Sequence, residues 1–302
     1  MGVKRVVRRS SLALAVVFAL ACTAASQTPS GFDSTRAYGH MRDLVEIGPR
    51  VSGTPANVKT RQYITTTLAS IGIKAVEQPF EAKTPLGVVK MANIVATLPG
   101  TRPERIIVGS HFDTKLFREF RFVGASDGGS STAALLELAR ALKARTTRPF
   151  TIELLFLDGE EAVGEWTATD STYGSRYYVD HARQTATLAG IKAFVLLDMI
   201  GDRNLNIRRE SNSTPWLTDA VWAAAARLGH TRAFLSQTTP IEDDHLPFLK
   251  AGVPSVDIID LDYAAWHTAE DTLQNVSAQS LQIVGDVVLA ALPDIEQILL
   301  KK

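Results

Sequence analysis

A single α/β domain, with a mixed but mostly parallel central sheet and helices on both faces, is the fold class predicted for this chain of 302 residues. Three observations predict it. Strand-like and helix-like patterns alternate along the sequence, the signature of a largely parallel sheet. The runs RIIVG, TIELLFL and AFVLL are almost wholly apolar, as strands covered on both faces must be. No convincing linker, repeat or low-complexity tract interrupts residues 34–302, so one domain is expected.

The elements follow in order. Residues 34–47 and 55–71 read as helices; in the second, Val58, Tyr63, Ile64, Leu68 and Ile71 recur near the 3.6-residue period. Strand-like stretches occupy 74–80, 91–98 and 105–110. GSSTAALLELARALKAR, residues 129–145, is a strong helix, opened by small residues and given a core face by Leu135, Leu136, Leu138, Ala139 and Leu142. A strand at 150–157, a helix near 174–186 and a strand at 193–199 come next. Helices at 215–228 and 278–300 flank a last strand at 253–259, VPSVDII.

With 45% hydrophobic and 21% charged residues, the chain can bury a substantial core and is not a disordered sequence. Lys+Arg and Asp+Glu both number 32, so no global field points to nucleic acid or to an acidic membrane surface. The opening residues 1–26 carry Lys4, Arg5, Arg8 and Arg9, then an apolar run over 12–21, then small residues. That is the pattern of a secretory signal peptide. The run falls short of the ~20 residues that span a bilayer, so export and cleavage are expected, with a periplasmic or secreted product and no transmembrane span in the mature chain. Ala19-Leu20-Ala21-Cys22 loosely resembles a lipoprotein cleavage box, which leaves a lipid anchor through Cys22 as the alternative. Without residues 1–26, 28 cations face 32 acids, a net charge of −4. Cys22 is the only cysteine, so the core must hold without an internal disulfide.

Open α/β sheets bind ligands at the carboxyl ends of their strands. Here RIIVGS runs into His111 and Asp113, TIELLFL into Asp158-Gly159-Glu160-Glu161, and AFVLL into Asp198. Asp127 precedes the long helix in VGASDGGSS, and His267 follows the last strand in AAWHTAED. Each has an ordinary explanation when taken alone. Asp127 could cap its helix, His267 could be a loop residue, Asp198 could bond locally, and paired glutamates are commonest on solvated surfaces. Taken jointly, they would crowd one rim with carboxylates, which is costly without a cation. Carboxylates mixed with imidazole and no cysteine suit a catalytic zinc held by about three protein ligands.

HFDTK, VGASDGGSSTAALLELARAL, LLFLDGEEA, WTATDSTYGSRYY, LLDMIGD, EDDHLPFLKAGVPSVDII and WHTAEDT stand in the order found in zinc-dependent glutaminyl-peptide cyclotransferases. The chain resembles that family over roughly residues 34–300, within the larger zinc aminopeptidase-like (M28-type) group. The resemblance implies one zinc per chain, held by Asp127, Glu161 and His267. It makes Glu160 the general acid/base, Asp198 and Asp243 the carboxylates that hold the substrate amine and leaving amide, and Trp166 and Trp266 the pocket walls. The implied reaction cyclises N-terminal glutamine of peptides or proteins to pyroglutamate with loss of ammonia.

Two other readings stand beside it. A two-zinc aminopeptidase of the same group would use a second site, for which His111 with Asp198 or Asp113 are candidates; otherwise His111 and Asp113 would support the ligands from behind. A zinc-stabilised binding protein without catalysis fits less well, since such a site needs no spare carboxylate like Glu160. A monomer is expected, and KLFREFRF, residues 115–122, is read as a rim between two site motifs.

Overall fold

The structure, a computed structural model, describes residues 1–3 and 31–302. The signal-peptide and lipid-anchor expectations, Cys22 included, fall on residues outside these. Among the described residues no helix is long and apolar enough to cross a membrane.

Local chemistry starts the first two helices where the sequence signals them. In α1 (Ser34–Ile47) the Asp33 carboxylate accepts the backbone N–H groups of Thr35 and Arg36, satisfying donors that the helix leaves free. In α2 (Pro55–Ser70) the Thr54 hydroxyl accepts from Asn57 N, and Pro55 fits the first turn, where no N–H is needed. A hairpin of β1 (Ala75–Thr84) and β2 (Gly87–Leu98) follows. Both strands reach further toward their turn than expected, because the added residues, 81–84 and 87–90, are mostly exposed and lack an apolar run. Then come β3 (Arg102–His111), α3 (Gly129–Ala144), β4 (Phe150–Leu157), α4 (Tyr173–Gln184), β5 (Ile191–Asp198), β6 (Ile207–Glu210), α5 (Pro215–Arg227), β7 (Phe234–Thr239), α6 (His245–Lys250), β8 (Ser255–Ile259) and α7 (Ala278–Leu300).

Six strands form one sheet in the order β1-β2-β4-β3-β5-β8. The pairings β4–β3, β3–β5 and β5–β8 are parallel, whereas β1–β2 and β2–β4 are antiparallel. The mixed, mostly parallel sheet is therefore as expected. Its period-2 alternation sorts side chains between two cores. Ile106, Val108, Leu154, Phe156, Val195 and Leu197 pack with α1, α3, α5 and α7 on one face. Ile107, Leu155, Leu157, Phe194 and Leu196 meet Tyr178 and Val179 of α4 and Phe248 of α6 on the other. Strands loaded on both faces must be apolar at every position, which is why their runs were legible.

Three elements escape the sequence reading: β6, β7 and α6. They have four, six and six residues, too few to show a period, and β7 is mostly exposed and polar. β6 and β7 pair in parallel as a separate two-stranded sheet.

Candidate active site

The parallel strands bring their carboxyl ends to one edge. His111 and Asp198 are the last residues of β3 and β5, and Glu160 and Glu161 follow β4 by three and four residues. Asp158, in the same motif, turns inward instead and accepts from Ser52 Oγ, Asn57 Nδ2 and Ala92 N; it holds the fold and takes no part at the rim.

Asp127 sits just before α3 without capping it. The cap is Gly128, in the left-handed region at φ 69°, with no side-chain hydrogen bond to the helix. A Cβ there would lie 2.6 Å from Asp113 O and 3.0 Å from the His111 ring, so glycine lets the loop close against β3. Arg50 fixes this loop from beneath. Its buried guanidinium donates to the carbonyls of Phe112 (2.9 Å), Val123 (2.6 Å), Gly124 (2.9 Å) and Asp127 (3.3 Å). Burial draws the Arg50 pKa down to about 10, still charged at neutral pH, and Asp271, Asp127 and Asp113 oppose the fall. Asp271 completes the support, accepting from Ser126 N and Asp127 N at 2.7 and 3.1 Å.

So held, the Asp127 carboxylate lies between two imidazoles. Oδ1 is 3.3 Å from His111 Nε2 and Oδ2 is 3.3 Å from His267 Nε2. Glu161 Oε1 is also 3.3 Å from His267 Nε2. Two carboxylates aimed at one ring nitrogen form a convergent donor set, and one donor atom from each of Asp127, Glu161 and His267 lies within 4.8 Å of the others. A second set, His111, Asp127 and Asp198, shares Asp127. In it, His111 Nε2 is already engaged with Asp198 Oδ1 at 3.0 Å.

The paired glutamates diverge. Glu161 turns to His267, and Lys115 N donates to its Oε1 at 3.2 Å. Glu160 turns the other way, its Oε2 3.9 Å from His111 Nδ1. Asp113 makes this possible by accepting the backbone N–H of both, Glu160 at Oδ1 (3.2 Å) and Glu161 at Oδ2 (3.3 Å). It braces the turn from behind.

These groups open into a cavity of about 440 Å³. Asp127, Glu160, Glu161, Asp198, Asp243, Trp166, Trp266 and His267 all line it; His111 and Asp113 stand behind. Trp166 is 36% exposed and donates from Nε1 to Glu242 Oε2 at 2.9 Å; Trp266 is 43% exposed and stacks on His267 with centroids 4.4 Å apart. Phe117 and Phe122 meet the same imidazole edge-on, so the 115–122 rim packs directly against a site residue. His267 and Met199, both lining the cavity, have φ of 54° and 48°, a costly conformation that the surrounding packing must hold in place.

The electrostatics are those of buried acids short of compensation. Burial pushes the Glu160 carboxyl well above its ordinary range, with Glu161, Asp243 and Asp244 adding to the rise and His111 opposing it. Burial, then Asp127, lifts Glu161 to about 7 against the pull of His267. Burial opposes charging of His267, but Asp127 and Glu161 outweigh it and raise the imidazole to about 9. Burial also acts upward on Asp127, yet His111 and His267 hold it below the usual carboxylate range. Without a cation this rim must take up protons; a divalent ion at the Asp127, Glu161 and His267 donors would displace them. The donor set therefore fits a metal.

Arg50, Asp271, Glu242 and Lys115 are residues of the site that the sequence reading did not single out. A lone arginine in GPRVSG carries no periodicity or spacing that marks it as buried, and Glu242 is visible only as the neighbour of Asp243 in EDDH.

Fold and rim together define a class: an open α/β sheet with a carboxylate–imidazole donor set at its carboxyl edge. The model of peptidase family M28 matches residues 93–292. A mouse glutaminyl-peptide cyclotransferase-like protein is 31% identical over 323 aligned positions, spanning 97% of this chain and 84% of that protein. The crystal structure of an Acidobacteriales bacterium glutaminyl cyclase superposes with a TM-score of 0.86 at 42% identity, covering 91% of this chain and 98% of that one. A leucine aminopeptidase precursor from Bacteroides thetaiotaomicron superposes with a TM-score of 0.80 at 26% identity, covering 88% and 98%. The chain belongs to peptidase family M28 and, within it, to the glutaminyl-peptide cyclotransferases.

Proposed function

We propose that the chain is a zinc-dependent glutaminyl cyclase that converts N-terminal glutamine of peptides and proteins to pyroglutamate and releases ammonia. One observation carries the reading: a single cavity is lined by a metal-type triad, a spare carboxylate and two tryptophans. Asp127, Glu161 and His267 would hold zinc, which when bound supplies Lewis-acid polarisation of the γ-carboxamide.

The chain's own residues do the rest. The α-amine bonds to the γ-carbon, the carbon–nitrogen bond of the amide breaks, and one proton must pass from the first nitrogen to the second. Glu160 is suited to carry it. Burial and neighbouring acids raise its proton affinity, and Asp113 aims it into the cavity through the backbone. Asp198 and Asp243, on the same cavity wall, are placed to hold the amine and the departing nitrogen. Trp166, tied to Glu242, and Trp266, stacked on His267, would flank the glutamine side chain and limit water, which suppresses hydrolysis to glutamate. Holding the amine over the γ-carbon supplies a further part of the barrier reduction. From the sequence, we infer an exported monomer.

An aminopeptidase with two metals is the second reading, favoured only by the triad of His111, Asp127 and Asp198. The two tryptophans on the cavity and Asp243 have no role in that reading. Metal analysis and assays on purified protein decide between them: one zinc per chain, ammonia from Gln-peptides and no leucine from Leu-peptides are expected. Two zincs with Leu-peptide hydrolysis would sink the proposal. Glu160→Gln should lose roughly 10²–10⁴-fold in kcat with zinc retained, the usual contribution of positioned proton transfer.

A further inference from the structure

A second recess adjoins the catalytic cavity, and the reaction as described does not use it. It measures about 590 Å³, and the two meet at Lys115, which lines both. One wall is the turn that leads into α2, with Val51 and Pro55; the other is the 115–122 rim, with Phe117 and Phe120. The walls are clamped together from beneath. Arg50, beside Val51 in the chain, donates to Phe112 O and Val123 O on either side of the rim, and its backbone N donates to Thr114 Oγ1 at 2.9 Å. The recess is therefore pre-formed, and a ligand would not have to order it.

Its lining is apolar and cationic. Phe117 stacks on Phe120 with centroids 4.5 Å apart, and both rings are half-buried rather than sealed in the core. Among the described residues the Arg121 guanidinium, which lines the recess, makes no hydrogen bond or ion pair. Lys115 Nζ donates to Ala162 O at 3.0 Å and has no acidic partner. Glu119 is the single acid in KLFREFRF; it accepts from Arg118 N and does not line the recess. The catalytic cavity carries the opposite charge beside Trp166, where Glu165 and Glu242 line it.

We propose that this recess takes the peptide chain that follows the glutamine, and that it selects an aromatic or large apolar third residue with an acidic fourth. The proposal rests on the cyclase reading, which puts the glutamine side chain beside His267. Two ring-to-ring steps, 5.5 Å from His267 to Phe117 and 4.5 Å from Phe117 to Phe120, lead from the cavity into the recess. An extended peptide advances about 3.3–3.6 Å per residue, so its second to fourth residues cover that distance. Side chains alternate along an extended chain, so the third points the same way as the glutamine, toward the protein, and the second points away. The third can then lay an apolar side chain on Phe117 and Phe120, between the two walls, and remove both from water. An acidic fourth residue comes within reach of Arg121, whose charge has no partner of its own, and a basic one is repelled. The way out past Glu165 and Glu242 offers an acidic peptide only repulsion.

Ammonia release by the zinc-loaded enzyme from three C-terminally amidated peptides, Gln-Ala-Phe-Glu, Gln-Ala-Phe-Lys and Gln-Ala-Ala-Glu, tests this. The first should exceed each of the others about 3- to 10-fold in kcat/KM, mainly through KM, as loss of one aromatic contact or reversal of one exposed charge contact implies. In about 1 M salt the preference for Glu over Lys should collapse while that for Phe over Ala persists, because screening acts on charge alone. Equal kcat/KM for all three peptides overturns the proposal. Arg121→Glu should reverse the Glu-over-Lys ratio, and Phe120→Ala should bring the Phe-over-Ala ratio close to one; a variant that lowers all three peptides alike, its ratios unchanged, overturns the role given to that residue. Should Arg121→Glu not fold, Arg121→Ala decides: a Glu-over-Lys ratio that falls toward one supports the proposal, and the wild-type ratio overturns it. If wild type releases no ammonia from any Gln-peptide, the cyclase reading fails by itself, and calorimetry with the same three peptides still decides the recess. Tighter binding of Gln-Ala-Phe-Glu supports it; equal binding overturns it.

Discussion

Arg50→Met isolates the support beneath the loop that carries Asp127. Methionine roughly fills the arginine stem but removes every donor. Three of the four carbonyls that Arg50 reaches, those of Phe112, Val123 and Gly124, accept at 2.6–2.9 Å, and all lie in the interior. Each orphaned acceptor costs about 1–3 kcal/mol, and some of that is recovered as the loop relaxes. The expected loss is therefore about 4 kcal/mol, in line with removing one partner from a buried charged network. For a domain of this size that lowers Tm by roughly 10 °C. Because metal bound only to the native state adds stability, urea unfolding should be followed at one fixed zinc excess and again with chelator. Zinc affinity should fall as well, since Asp127 O is among the bonded carbonyls. Arg50→Lys should recover less than half, because a single ammonium cannot reproduce the planar fork. A loss below about 1 kcal/mol with unchanged zinc affinity would refute the idea that this guanidinium holds the loop.

Trp266→Ala removes both a cavity wall and the ring stacked on His267. An aromatic contact worth about 0.5–1.5 kcal/mol implies a fall in kcat/KM of roughly 3- to 10-fold, mostly in KM, readable from steady-state ammonia release. An unchanged KM would take Trp266 out of the substrate pocket. Glu210 supplies a pH test of stability. Burial raises its pKa, but His245 and the backbone donors of Asn212 and Ile241 outweigh that and hold it down to about 2, against 4.5 when free. A carboxyl lowered in the folded state stabilises fully above pH 4.5 and loses that contribution as pH falls toward 2. Denaturant titrations should therefore show wild type and Glu210→Gln far apart at pH 6 and drawing together as pH falls from 4.5; a constant gap contradicts the assignment.

Much of this protein could be read before any coordinates. The doubly covered strands announced themselves because burial on both faces demands apolar residues at every position, as in FTIELLFL. Their ends then marked the rim, and motif order identified the family. The hairpin's outer half, β6, β7 and α6 were not legible, since short or exposed segments impose no pattern on their residues.

Which residue types meet at the rim is a property of the chain alone: parallel strands must deliver His111, Glu160, Glu161 and Asp198 to one edge. How each carboxylate is used was decided in three dimensions. Asp158 and Glu160 are two residues apart in one motif, yet the first is sealed against Ser52 and Asn57 and the second opens into the cavity. Asp127 could have capped α3, but Gly128 in its left-handed turn, with Arg50 beneath, swings the side chain between two imidazoles instead. A carboxylate's role depends on which donors and charges surround it, and those come from segments distant in sequence: Arg50 lies 77 residues from Asp127. No local pattern records such partners; only the folded chain brings them together.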